Sequence, residues 1–186
     1  VTSRRRLLGL PGAVWTDLTV LEPSDALDLL TRIVGADRVA CEPDAARELV
    51  ALCGYLPLAV RIAGSRLVAR PGWRLRAAVD RLRDEIHRLD ELRSGELSVA
   101  EAFERGFLQL DEAQVAALRW AAGVDGPADA AGVEVTATDL ASVAGLPETE
   151  IEPTLESLVD LHLLVAIEPG RYRIPELVRL FARRIR

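Results

Sequence analysis

From Pro23 to Leu89 the apolar residues return every three or four positions, the mark of helices with one buried face. Ala26, Leu27, Leu30, Ile33 and Val34 predict a first helix, with Ser24 as its N-cap and Gly35 as its stop. Pro43 stands ahead of a second, which turns Ala46, Leu49, Val50 and Cys53 inward and closes at Gly54. Pro57 suits the first turn of a third, where no amide hydrogen is needed, and Leu58, Ile62, Ala63 and Leu67 supply its buried face. After a Pro71–Gly72 turn, Leu75, Val79, Leu82, Ile86 and Leu89 form a further stripe. This predicts a helical bundle over residues 22–93.

The pattern changes over 94–186. Ser98 and Glu101 have the spacing of a capping box, followed by Phe103, Phe107 and Leu110 on one face. Helices are expected near Asp111–Ala122, Thr138–Ala144, Glu148–Leu161 and Glu176–Ile185, the last burying Leu177, Leu180 and Phe181. The stretch from Gly123 to Val135 reads as a loop. Leu163–Ile167 and Arg171–Ile174 are two short runs around Glu168-Pro169-Gly170, which reads as a hairpin turn. Helix, helix, helix, hairpin, helix is the order of a winged helix. Ahead of the bundle, Val14 to Val20 alternate as in a strand, beyond a Pro11–Gly12 turn, and need partners elsewhere. The fold class expected is mainly α.

Composition narrows the functions. Nearly half of the 186 residues are apolar, which suits a packed core and excludes wholesale disorder. There is neither a membrane-spanning apolar run nor a secretory signal, so a cytoplasmic protein is expected. All 23 basic residues are Arg, and Met is absent; the chain reads as a piece of a longer protein. Cys41 and Cys53 read as free core thiols. Residues 1–93 carry 15 Arg against 13 acids, residues 94–168 carry 2 against 15, and residues 169–186 carry 6 against Glu176 alone. The acidic middle block is a poor surface for phosphates; the basic tail suits them better.

Catalytic chemistry is sparse. His87 and His162 are isolated within helical patterns, and no metal set accompanies the cysteines. There is no nucleophile elbow, and a chain without Lys has no phosphate loop of the Gly-x-x-x-x-Gly-Lys type. Asp84-Glu85 and Asp90-Glu91 read as helical partners of Arg81 and Arg88. The chain alone is not expected to be an enzyme.

Gly54-Tyr55-Leu56-Pro57-Leu58-Ala59 resembles the Gly-Leu-Pro-Leu-Ala motif of the NB-ARC (STAND) signal-transduction NTPases. Other stretches resemble the same family in the same order. Leu21 to Leu30 is similar to its first helix after the nucleotide-binding core, and Thr2-Ser3-Arg4 to the sensor motif ending the core's fourth strand. Phe103 to Leu110 is similar to the entry into its winged helix, and Leu158 to Leu164 to the later helix and wing. Tyr172-Arg173-Ile174 before Leu177 to Ala182 brings it nearest to the antibiotic-regulatory (SARP-type) transcription activators of actinomycetes.

The resemblance implies three parts: residues 1–21 as the end of a nucleotide-binding core, 22–93 as the helical ARC-type bundle and 94–186 as the winged helix. It implies a regulatory fragment of an ADP/ATP switch, forming lid and lock over the nucleotide, with Mg beside the nucleotide in a parent that is at most a slow ATPase. Arg4 is then the phosphate sensor, Pro57 packs by the adenine, and Leu58 beside it is a further nucleotide-binding residue. The family's ADP-latching His-Asp pair reads Pro175-Glu176 here, and proline offers no side-chain donor. Implied partners are the core and effector domains of the same polypeptide and self-association on activation, with DNA contacted through another domain. The alternatives are a DNA-binding winged helix or a nucleotide-independent scaffold. DNA would meet Arg171, Arg173 and Arg179, because the helix from Glu148 carries five acids and no Arg.

Overall fold

The computed structural model describes residues 18–124 and 134–185. Arg4, the Pro11–Gly12 turn, residues 14–17 of the expected strand, residues 125–133 of the expected loop, and Arg186 lie outside the described residues. Residues 18–20 join no sheet, and Leu18 and Val20 are exposed. The described fold is mainly helical with two small antiparallel sheets. It divides into two compact units, residues 18–103 and the described part of 104–185.

In the first unit, proline sets three helix starts. Pro23 opens α1 (Pro23–Val34), Pro43 opens α3 (Pro43–Leu52) and Pro57 opens α4 (Pro57–Val68), where the ring fixes φ and a missing N–H costs nothing. Glu22 is therefore the N-cap of α1, and Ser24 lies inside the first turn. Gly35, at φ 94°, ends α1 as expected and starts α2 (Ala36–Cys41), a helix the pattern does not predict because it buries no residue. Leu30, Leu49, Ile62, Leu67 and Leu75 are fully enclosed, each contributing roughly 1.5–3 kcal/mol of burial. α1 and α4 approach so closely that a Cβ on Gly64 would lie 2.8 Å from Ile33 Cγ2.

Two polar side chains staple this unit across long sequence separations. Arg38 of α2 donates to the carbonyls of Leu67, at 2.9 Å, and of Arg70 and Trp73, which follow the end of α4. The Leu67 and Arg70 carbonyls already accept from the amides of Arg70 and Trp73 at 3.1 and 2.9 Å, so the guanidinium adds a second, charge-assisted donor there. The Glu42 carboxylate accepts from the amides of Leu75 and Arg76 at 3.0 and 3.1 Å, capping α5 (Leu75–Arg83) from outside.

The stripe from Leu75 to Leu89 breaks. α5 stops at Arg83, and the Asp84 carboxylate accepts from the Ile86 amide and meets His87 Nδ1 at 2.8 Å. Such local bonding competes with helix. Ile86 is 75% exposed as a result, while Leu89 is buried on the separate α6 (Arg88–Glu91). Glu91 pairs with Arg81 and Arg66, so Arg81 finds its acid ten residues away instead of one turn away. Buried Arg88 donates to the Leu82 carbonyl. The two thiols also part company: Cys41 is exposed and Cys53 is buried. Burial pushes the Cys53 thiol up to about 12, and the nearby Arg88 charge offsets this only in part. A small hairpin, β1 (Arg93–Ser94) with β2 (Leu97–Ser98), leads into α7 (Val99–Phe107), where Ser98 Oγ accepts from the Glu101 amide.

The second unit contains α8 (Glu112–Ala121), β3 (Glu134–Thr136), α9 (Ala137–Ala144), α10 (Glu148–Asp160), β4 (Val165–Glu168), β5 (Arg171–Arg173) and α11 (Glu176–Ala182). Asp111 and Gln114 form a full capping box on α8. The sheet runs β3-β5-β4, antiparallel throughout, which with this element order is a winged helix. β3 corrects the expected loop at its end: Val135 pairs opposite Tyr172. Tyr172 is fully buried at the sheet centre, and its hydroxyl donates to Glu156 at 2.6 Å. Gly170, at φ 74°, makes the β4–β5 turn. Pro153 lies within α10, which nonetheless buries Ile151, Leu155 and Leu158. Pro175 caps α11 from just outside, and the helix stops at Ala182, short of Ile185.

Candidate functional site

The turn into α4 is the most unusual backbone in the first unit. Gly54 and Tyr55 are both left-handed, at φ 60° and 55°. Glycine adopts this freely, whereas a bulky tyrosine does so at a cost of about 1–2 kcal/mol. The turn is held by the amides of Gly54, Tyr55 and Leu56, which donate to the carbonyls of Ala51, Val50 and Cys53. The Tyr55 carbonyl accepts from the Leu21 amide at 3.0 Å, fixing the entry to α1 on the same turn. Leu56 is extended, as a residue before proline must be.

This geometry turns Pro57 to solvent, leaves Leu58 half-buried and sends Ala59 into the core. Pro57, expected at the adenine, and Leu58, expected to bind the nucleotide, are thus adjacent and accessible at the start of α4. They form a small apolar surface at the start of the helix. Arg4, expected at the terminal phosphate, lies outside the described residues. Among the described residues, no group of three or more His, Cys, Asp or Glu side chains is placed to hold a metal ion.

In the second unit, Pro175 supplies no donor at the latch position, and Glu176 turns to Arg179 at 2.8 Å. Arg179 is itself buried, so its charge is spent within the unit. On the wing, Arg171 pairs with Glu134 and Glu168, and Arg173 reaches Glu134 at 3.5 Å. These arginines hold the Glu134 carboxyl below its ordinary range, the Arg171 hydrogen bond acting most strongly. The three arginines named for DNA are therefore locally neutralised. Glu148, Glu150, Glu152, Glu156 and Asp160 all face outward on α10. A phosphate backbone approaching that helix would meet carboxylates.

The motif contains Tyr55, but hydrophobic spacing does not predict its left-handed backbone. The signal for Tyr55 was present, since it follows a helix-closing glycine directly.

No family model matches the chain. It is 47% identical over 183 residues to a regulatory protein, AfsR, of Streptomyces coelicolor (strain ATCC BAA-471 / A3(2) / M145). It is also 47% identical over 183 residues to the regulatory protein AfsR of Streptomyces griseus. The matches cover 98% of this chain, which spans only 18% of the length of either relative. Among the described residues, no helix is long and apolar enough to cross a membrane.

Proposed function

We propose that this chain is the regulatory portion of an ADP/ATP-dependent switch in a longer transcription-regulating protein. The observation that carries the reading is the exposed Pro57 turn, built on two left-handed residues and presented at the start of α4. Support also comes from the similarity to two regulatory proteins along almost the whole chain. The bundle (22–93) acts as a lid over the nucleotide, and the winged helix (94–186) works as a protein-contact module that moves as a rigid body when ADP gives way to ATP. The phosphate loop, the magnesium ligands and any slow ATPase activity belong to the core of the same polypeptide. Self-association follows activation, and DNA is bound by another domain in the cytoplasm.

The winged-helix topology favours a second reading, direct DNA binding. The acidic outward face of α10 and the neutralised wing weigh against it. The remaining reading, a scaffold without nucleotide sensing, draws on Pro175. Under the switch reading, Pro175 removes a clasp on ADP, and Pro175→His in the full-length protein slows ADP release; an unchanged rate sinks that point.

Calorimetry with ATP and ADP decides the main question, on this chain and on a form extended N-terminally through its phosphate loop. Binding by the extended form alone is the expected result. No binding by either rejects the switch.

A further inference from the structure

A pocket of about 20 Å³ opens between α4, α5 and α6 in the first unit. Ala63, Leu67 and Leu82 are its buried lining, and the half-buried Trp73 and Ala78 stand higher in its wall. Arg66, Arg81 and Glu91 make the polar part. The turn that carries Trp73 is held in place, because Arg38 donates to the carbonyls of both Arg70 and Trp73. The pocket is therefore formed before anything enters it.

Its charge is one-sided. The guanidinium carbons of Arg70 and Arg81 lie 4.8 and 5.4 Å from the centre of the Trp73 ring, a cation–π arrangement that settles both beside the pocket. Arg66 and Arg81 each bond Glu91 at 2.6 Å. The Arg81 hydrogen bond acts most strongly on that carboxylate, and the charge of Arg70 reaches it as well. One carboxylate thus answers three guanidiniums, and an entering anion meets net positive charge. An apolar lining beneath cations suits a ligand with an apolar tip and a carboxylate beside it. Size narrows the class further. The volume is room for one methyl-sized group, far below the space that encloses a free small molecule. Burying one such group holds no ligand by itself, so the rest of the contact has to come from a chain lying across the surface.

We infer that this pocket docks an acidic segment of a partner protein, in which a small aliphatic side chain adjoins Asp or Glu. A methyl group enters between Leu67, Leu82 and the indole of Trp73, and the neighbouring carboxylate accepts from Arg70 and Arg81. Neither contact uses a nucleotide, so the inference stands apart from the switch reading.

The test is a titration of the whole chain, labelled with nitrogen-15, followed by the indole N–H resonance of Trp73. That resonance is assigned with Trp73→Phe, and the other two tryptophans serve as internal controls. The probes are three capped tripeptides, Glu-Val-Glu, Gln-Val-Gln and Glu-Gly-Glu, and inorganic phosphate. Glu-Val-Glu should move the Trp73 indole with a Kd of about 1 mM and leave the other two in place. Removing the charges or the valine should each weaken binding at least about threefold, and added salt should weaken Glu-Val-Glu but not Gln-Val-Gln. Arg70→Gln should cost about fivefold in affinity for Glu-Val-Glu and little for Gln-Val-Gln. Ala78→Leu fills the pocket from its wall and should abolish the shift. Arg70 is exposed and Ala78 only half-buried, so both variants should keep the thermal midpoint of the chain, which separates a loss of binding from a loss of fold. Arg32→Gln, an exposed arginine on α1, should change nothing. The inference is overturned if no probe moves the Trp73 indole at 10-fold the expected Kd, if Gln-Val-Gln binds as well as Glu-Val-Glu, or if Arg70→Gln and Ala78→Leu both bind as the wild type does. It is equally overturned if phosphate moves the indole as far as Glu-Val-Glu, because the pocket is then a plain anion site.

Discussion

Each unit contains a carboxylate held between two arginines, and the two arrangements differ in what surrounds them. In the first unit, Glu91 meets Arg66 and Arg81, each at 2.6 Å, with its side chain only 17% exposed. In the second, Glu134 meets Arg171 and Arg173 with its side chain 37% exposed. The Glu91 group ties α6 to α4 and α5; the Glu134 group lies across the outer surface of a small sheet. The same chemistry is structural glue in one place and surface neutralisation in the other. Charge counted along the chain cannot separate these uses, because solvent access decides them.

The largest effect that could break this picture lies in the packing of the first unit. Gly64→Val places its side chain where Ile33 Cγ2 already stands, 2.8 Å from the position of a Cβ. Valine is a better helix former than glycine, so a loss must come from the α1–α4 contact. We expect a loss of about 2–3 kcal/mol in denaturant unfolding of this chain. Ile33→Ala in the same molecule should restore part of it. Absence of that coupling would mean that the two helices are not held at this distance.

Next in size is the Arg38 staple. Arg38→Met keeps the stem and removes the donors to the Leu67, Arg70 and Trp73 carbonyls, at an expected cost of about 2 kcal/mol. Arg38→Lys should recover little, because a single ammonium does not reproduce a planar fork. Amide hydrogen exchange at the end of α4 is the local readout. Unchanged protection there would show that water serves those carbonyls equally well.

Arg38 also shows where the sequence stops being readable. The helices α1, α3 and α4 are legible because proline starts, glycine stops and apolar stripes coincide at Pro23, Gly35, Pro43, Gly54 and Pro57. α2 is not legible, because its six residues bury nothing, and its value lies in Arg38 reaching 29 to 35 residues away. Ile86 fits the stripe by spacing but is expelled by the Asp84 turn, a polar event that hydrophobic periodicity does not register. β3 hides at the end of an Ala-, Gly- and Asp-rich stretch because its partner strand lies 37 residues on. At the candidate site, Pro57 is legible as part of a motif. The left-handed pair Gly54–Tyr55 that presents it shows only in the backbone geometry.

The smallest effects concern the two paired carboxylates, Glu91 and Glu134. The Arg81 hydrogen bond, followed by the charge of Arg66, holds the Glu91 carboxyl below its ordinary value near 4.5. A carboxyl lowered by folding adds stability that is present above its unfolded value and lost as pH falls through the lower folded value. Glu91→Gln should therefore cost about 1 kcal/mol at neutral pH and flatten the decline of stability below pH about 4.5. Glu134 is lowered for the same reasons, yet its arginines are half in water and salt screens the pair. Glu134→Gln should leave denaturant unfolding at neutral pH unchanged within error. Adding salt should narrow any gap between wild type and Glu134→Gln, and should leave most of the gap to Glu91→Gln in place. Equal costs for the two substitutions would mean that burial does not set the strength of these pairs. The wing arginines would then be structural elements of the sheet, and their pairing with Glu134 could not be read as mere neutralisation of a surface.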